Sequence, residues 1–166
     1  MPPVTSAPVT SAPRAPAIPA NPVRKPRPPP DWTAVVTALD RARGAALVGR
    51  DAAALGRVYL PGTAGMTADV STIELLRARG WRLADAHHVI DRVSLLAPNR
   101  AAAAPAVTPA GPTAIRLEVI DRLPAYQVTD AAGVAVGHTP GRGAARRILV
   151  LTRTAAGYRI AAMESS

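Results

Sequence analysis

The chain of 166 residues carries 20 Lys and Arg against 11 Asp and Glu, a net charge of +9, and has neither Cys nor Phe. Without Cys there is no disulfide framework, thiol nucleophile, zinc–thiolate site or iron–sulfur cluster. No apolar run approaches the roughly 18 residues that span a bilayer, so the given chain has no transmembrane helix. Nineteen of the 20 cations are Arg, a bias that the GC-rich codons of a high-GC bacterial genome explain without any ligand. Four of them lie in an acid-free arm. In residues 31–166 acid and base alternate, as in Asp40-Arg41, Asp91-Arg92 and Asp121-Arg122, which describes a solvated mixed surface more than a phosphate track.

Residues 1–30 hold 11 of the 18 prolines and the tandem repeat Pro3-Val4-Thr5-Ser6-Ala7, Pro8-Val9-Thr10-Ser11-Ala12. Proline lacks the backbone donor and restrains its predecessor, and few large apolar side chains offset the entropy of ordering. A disordered, polyproline-II-like spacer is expected. Spacers of this kind join membrane anchors to outer domains. The expectation is therefore an envelope-associated, extracytoplasmic domain if an anchor is encoded upstream, and a cytoplasmic one as the chain is given.

The folded domain is expected over 31–166. Asp31 suits the N-cap of a helix of about four turns, in which Trp32, Val35, Val36, Leu39, Ala42, Ala46 and Leu47 form the apolar stripe and Asp40, Arg41 and Arg43 the other side. Gly49 breaks it, and Asp51 caps a second short helix, Ala52 to Tyr59, stopped by Pro61-Gly62. Asp69 or Ser71 then caps a third over Thr72–Arg79, which Gly80 ends.

From Trp81 the period changes to two. Trp81 to Leu96 reads as one long strand whose apolar phase slips between Ile90 and Val93, so a bulge is expected near Asp91-Arg92. Residues 98–113 read as a mobile loop. Ile115, Leu117, Val119 and Leu123 alternate on the next strand, Tyr126 and Val128 continue into another, and Asp130 to Gly133 turns back through Val134 and Val136. Gly137–Gly143 reads as a second loop. Ile148–Arg153 and Tyr158–Met163 make a hairpin over Thr154 to Gly157. Helices followed by antiparallel strands with one apolar face imply an α+β fold, its helices covering one side of a curved sheet.

That order contains Gly49-Arg50-Asp51-Ala52-Ala53-Ala54-Leu55 leading to Val58-Tyr59, and the ending Ala156-Gly157-Tyr158-Arg159-Ile160-Ala161. Over 31–164 it resembles the nuclear transport factor 2-like (cystatin-like, SnoaL-like) superfamily, in which "G-D-x-x-A-L-x-x-x-Y" and "G-W-R-I" recur. The chain departs from that pattern at Arg50, and at Tyr158, which stands for Trp. The resemblance implies a cone-shaped α+β half-barrel and a homodimer through the sheet. Its members range over isomerases, cyclases, epoxide hydrolases, dehydratases and non-enzymatic binding domains, so the fold alone does not select an activity.

Four residues are candidates for chemistry in such a cone. His88, with Ala86 and Ile90, falls in the inward register, which turns His87 outward; an imidazole there is a general base or a wall histidine satisfied by a carbonyl. Asp121 shares its phase with Leu117 and Val119, and is either a buried proton shuttle, as the isomerases of the fold imply, or a rim carboxylate paired with Arg92 or Arg122. Tyr59 and Tyr126 are oxyanion donors by the same resemblance, or core filling in a chain without Phe. Arg142, Arg146 and Arg147 form the densest basic cluster, a candidate anion site or a flexible loop of solvated Arg. Without interleaved aromatics it argues against nucleic acid.

No His-x-His or His-x-x-x-His spacing supports a metal, and no cofactor is expected. Together these features point first to a non-catalytic binding or accessory domain for a protein partner or small apolar ligand. A proton-transfer enzyme using Asp121 or His88 is the alternative, and anionic-surface binding through the arm and Arg146-Arg147 is the weaker one. The enzyme requires a closed apolar cavity lined by at least two of His88, Asp121, Tyr59 and Tyr126.

Overall fold

The computed structural model describes residues 28–97 and 114–165; the expected spacer, up to residue 27, and the expected loop over 98–113 lie outside them. Helix α1 runs Trp32–Gly49 and opens as expected, with the Asp31 carboxylate accepting from the Ala34 amide. It closes at Arg50, a left-handed residue at φ 54° whose N–H and that of Asp51 return to the last turn. Asp51 caps the next segment through the amides of Ala53 and Ala54, but that segment is a 3₁₀ turn, Ala53–Arg57, rather than an α-helix.

Helix α2 is longer than the sequence pattern suggests, Ala64–Arg79, and its cap is Thr63, whose hydroxyl accepts from the Met66 amide. Asp69 caps nothing. It lies mid-helix on the buried side, 5% exposed, and serves the interior. Gly80 ends the helix at φ 65°, as expected.

The expected long strand from Trp81 divides. Arg82–Leu83 forms β1, and β2 is Val89–Leu95. After them come β3 Ala114–Leu123, β4 Tyr126–Thr129, β5 Ala135–Thr139, β6 Arg142–Thr154 and β7 Gly157–Ser165. The segment expected as a second loop is mostly strand, leaving Pro140-Gly141 as the link between β5 and β6. Two antiparallel sheets result, one in the order β1-β4-β5 and one in the order β2-β3-β6-β7.

The bulge falls where the phase slip places it. Ile90 pairs with Asp121 and Arg92 with Ile120, so Asp91 is the extra residue and both Ile90 and Val93 turn to the apolar face. A second bulge in β7 leaves Ala161 outside the register, because Val150 pairs with Ala162 and Leu151 with Ile160. That lets Ile160 and Met163, three positions apart, line the same cavity.

Between helices and the large sheet lies the core, with Leu55, Val58, Tyr59, Ile73, Leu117 and Leu151 fully buried. The 3₁₀ turn is tied to the sheet by two backbone bonds, Ile160 N–H to Val58 O and Leu60 N–H to Ile160 O, at 2.8 and 2.9 Å. Trp32 packs edge-on against Tyr158, and Trp81 lies under the Arg79 guanidinium. The fold is α+β, with two N-terminal α-helices packed on antiparallel sheets, and no described helix is long and apolar enough to cross a membrane.

Candidate functional site

Between α1 and the large sheet lies a partly open cavity of about 210 Å³. One part of its wall is apolar: Val36 and Leu39 of α1, Ile90 and Val119 of β2 and β3, and Leu149, Ile160 and Met163 of β6 and β7. The rest is polar and comes from separate elements, Asp40 and Arg43 from α1, Tyr59 after the 3₁₀ turn, His88 before β2, Asp121 from β3 and Arg147 from β6. Periodicity explains the helix contribution, since positions 36, 40, 43 and 47 recur along one helical face. The expectation that Asp40 and Arg43 lie on the solvent side is therefore corrected. On the sheet, Asp121 shares the inward phase of Leu117 and Val119, and Arg147 that of Leu149 and Leu151.

Imidazole and carboxylates form a chain across the cavity. Asp40 accepts twice from His88, from its backbone N–H at 2.7 Å and at ring Nδ1 at 2.7 Å. An ionised carboxylate only accepts, so Nδ1 carries the proton in that bond and Nε2 is the ring nitrogen left facing the cavity. Nε2 faces Asp121 Oδ2 at 3.6 Å. Asp121 is 4% exposed, which removes it from the sheet rim where a cross-strand pair would hold it. The rim pair exists instead at Asp91, where Arg122 Nε donates at 2.9 and 3.1 Å.

Two arginines meet Asp121. Arg142 Nη2 donates to Oδ2 at 2.8 Å, whereas Arg147 Nε approaches Oδ1 at 3.4 Å without forming a hydrogen bond. Asp121 Oδ1 and Arg147 Nε are buried and have no hydrogen-bond partner among the described residues. Arg146 points to the opposite face and pairs with Glu118. The three arginines expected in a flexible loop are thus strand residues of β6, each beside a carboxylate.

Behind this wall lies a second polar group. Arg43 grips Asp69 through Nε and Nη2, both at 2.6 Å, and the Tyr59 hydroxyl donates to Asp69 Oδ2 at 2.8 Å. Burial pushes the Tyr59 hydroxyl pKa well above the ordinary phenol range; Arg43 opposes and Asp69 reinforces that shift. For Arg43 burial disfavours the charge, yet the hydrogen bond and attraction of Asp69 prevail and its pKa is raised.

Of the four residues expected in the cone, the cavity gathers three, Tyr59, His88 and Asp121. Tyr59 is wholly buried, and its proton is committed to Asp69. Tyr126 lies instead at a smaller cavity of about 140 Å³, which shares Arg43 and His88 with the main one. His87 is exposed and bound to Asp85, whose pKa that hydrogen bond lowers. A further hollow of about 280 Å³ lies beside Gly65, where the start of α2 meets β7; it is lined mainly by small residues and by no charged group among the described residues. The main cavity combines an apolar wall with converging polar groups, and so does the smaller one at Tyr126, where Leu47, Leu83 and Leu123 meet Arg43, Asp69 and His88.

No protein-family model matches the chain, and no curated protein matches it. Solved structures show a distant likeness. Aln2 from a Streptomyces species aligns with a TM-score of 0.47 and 13% identity, over 83% of this chain and 93% of that one. The intermembrane space region of the chloroplast protein ARC6 aligns at 0.49 and 11%, over 85% of this chain and 100% of that one. An association domain of the calcium/calmodulin-dependent protein kinase II type from Xanthomonas campestris aligns at 0.43 and 13%, over 89% of each chain. At this distance the likeness concerns the shape of the chain and not its chemistry.

Proposed function

We propose that the domain binds a small, mainly apolar molecule in the cone, with a polar group of that molecule turned toward Asp121 and Arg147. The observation that carries this reading is the cavity itself: about 210 Å³, apolar on one side and lined by named polar groups on the other. An apolar cavity of about 150 Å³ already admits benzene, so a ring with a short substituent fits. A protein partner draws less support. The large exposed apolar residues, Val48, Leu75, Leu95, Val134, Val136 and Met163, are spread over α1, α2, β2, β7 and the β4–β5 hairpin, as scattered surface residues normally are.

Titration of the 15N-labelled full chain with toluene tests the reading. Saturable amide shifts are expected at Val119, Leu149 and Ile160. Met163, which is 44% exposed and lines the cavity, permits a blocking variant that spares the core. Met163→Trp abolishes the shifts while leaving the thermal midpoint near that of the parent chain. Toluene shifts scattered over the surface, or unaffected by the block, would end the reading.

Proton transfer is the second reading, favoured by one observation. Asp40 orients His88 so that Nε2 points toward Asp121 in a partly apolar cavity, an arrangement suited to a general base. It predicts α-deuterium exchange of cyclohexanone in D2O above the buffer rate, lost in His88→Ala. Exchange at the buffer rate removes it.

A further inference from the structure

Resting on the small-molecule reading above, we propose that the cavity selects an uncharged head group that donates and accepts a hydrogen bond side by side, as a primary carboxamide does. Asp121 and Arg147 are diagonal neighbours on β3 and β6, because Val119 pairs directly with Arg147 and Asp121 follows two positions along β3. Their facing atoms, Oδ1 and Nε, stand 3.4 Å apart. Both are buried, and neither has a hydrogen-bond partner among the described residues, although the two charges form an ion pair. Buried polar atoms that lack a hydrogen bond are uncommon, and here their ion pair alone offsets the hydration each gives up.

The remaining bonds of the two residues decide what the head group must be. Asp121 Oδ2 is taken by Arg142, so Oδ1 is the atom left to accept. Arg147 Nε bears one N–H and can only donate. A ligand that satisfies both therefore presents an N–H to Asp121 and an oxygen to Arg147. Two partners this close match donor and acceptor atoms set side by side on one amide edge. A single hydroxyl oxygen serving both would have to bond them at a sharply acute angle, which weakens each bond.

Charged heads are rejected by the same pair. A carboxylate meets the Asp121 charge and an ammonium meets the Arg147 charge, each at close range. Arg147 provides the way in. Its side chain is 40% exposed while that of Asp121 is 6% exposed, so the guanidinium can turn outward and admit the head group while Arg142 keeps Asp121 in place.

The test uses the full chain and four probes on one ring: benzamide, methyl benzoate, benzoate and benzylamine, with toluene as the control for the cavity. Benzamide is expected to bind at least ten times more tightly than benzoate or benzylamine, and clearly better than methyl benzoate, which lacks the donor. Arg147→Met should abolish the preference for benzamide over methyl benzoate, with both compounds measured on that variant. Asp121→Asn offers a second variant, and it should relax the rejection of benzoate. Affinities of the four probes within twofold of each other overturn the proposal, as does tightest binding of benzoate, even where toluene still binds. Failure of every compound, toluene included, refutes the cavity reading and this proposal together.

Discussion

Asp69 illustrates how one side chain can be assigned a wrong role by its neighbours in sequence. A carboxylate ahead of a helical pattern resembles a cap, yet here it accepts from Arg43 and Tyr59 in the interior. The consequence appears at high pH. Folded Tyr59 keeps its proton to a pH above the ordinary phenol value of 10.0, whereas unfolded Tyr59 does not. Its contribution is therefore whole below that value and is lost as the pH rises through the folded pKa. Urea unfolding of the parent chain should weaken above about pH 10, by up to about 1.4 kcal/mol per pH unit for this one proton. Tyr59→Phe should cost about 1–2 kcal/mol at neutral pH through the lost hydrogen bond, and should show a flatter alkaline limb. Equal slopes in the two proteins would contradict this account of Tyr59.

At the scale of elements, α2 and β7 meet at a glycine. A Cβ on Gly65 would stand 2.9 Å from Tyr59 Cε1 and 2.9 Å from Met163 Cε. The methionine tip can move aside, but the Tyr59 ring is fully buried and tied to Asp69. Alanine gains less than about 1 kcal/mol of helix propensity so near the start of α2, against an overpacking cost of about 1–3 kcal/mol. The clash prevails. Gly65→Ala should lower the thermal midpoint by a few degrees in calorimetry, and an unchanged or raised midpoint would show that the Tyr59 ring can yield. Elements were also where the sequence was most legible. The Asp31 cap, the stop at Gly80, the bulge at Asp91 and the β6–β7 hairpin each follow from a local rule. The start of α2 did not, because Ala64, Gly65 and Thr67 offer no apolar period. The strand expected from Trp81 divided for another reason: Leu83 pairs with Val128 and thereby joins β4, a pairing that no local pattern encodes.

For the whole molecule, stability rests on the layer between the helices and the large sheet. Leu117, 0% exposed and paired with both Leu95 and Leu149, stands at its centre. Leu117→Ala should cost about 2–5 kcal/mol, by lost burial and the cavity left behind. Far-UV circular dichroism and Trp fluorescence should shift together in denaturant, because Trp32 packs on β7 and Trp81 borders β1. Separate transitions would mean that the small β1-β4-β5 sheet, whose β5 is mostly exposed, unfolds on its own.

The sequence by itself determined the α+β class, most element boundaries and the inward phase of His88 and Asp121. These depend on periods of 2 and 3.6 and on capping chemistry, all of which act within a few residues. The sites of Asp40, Arg43 and Arg147 were present in those same periods, but their charge suggested solvent. Only the tertiary structure decided that Asp40 meets His88 across 48 positions, that Asp69 serves Arg43 and Tyr59, and that Asp121 and Arg147 face each other without a hydrogen bond. A charge enters an interior only when a partner from elsewhere in the chain offsets its lost hydration, and that partner is chosen by the packing of distant segments.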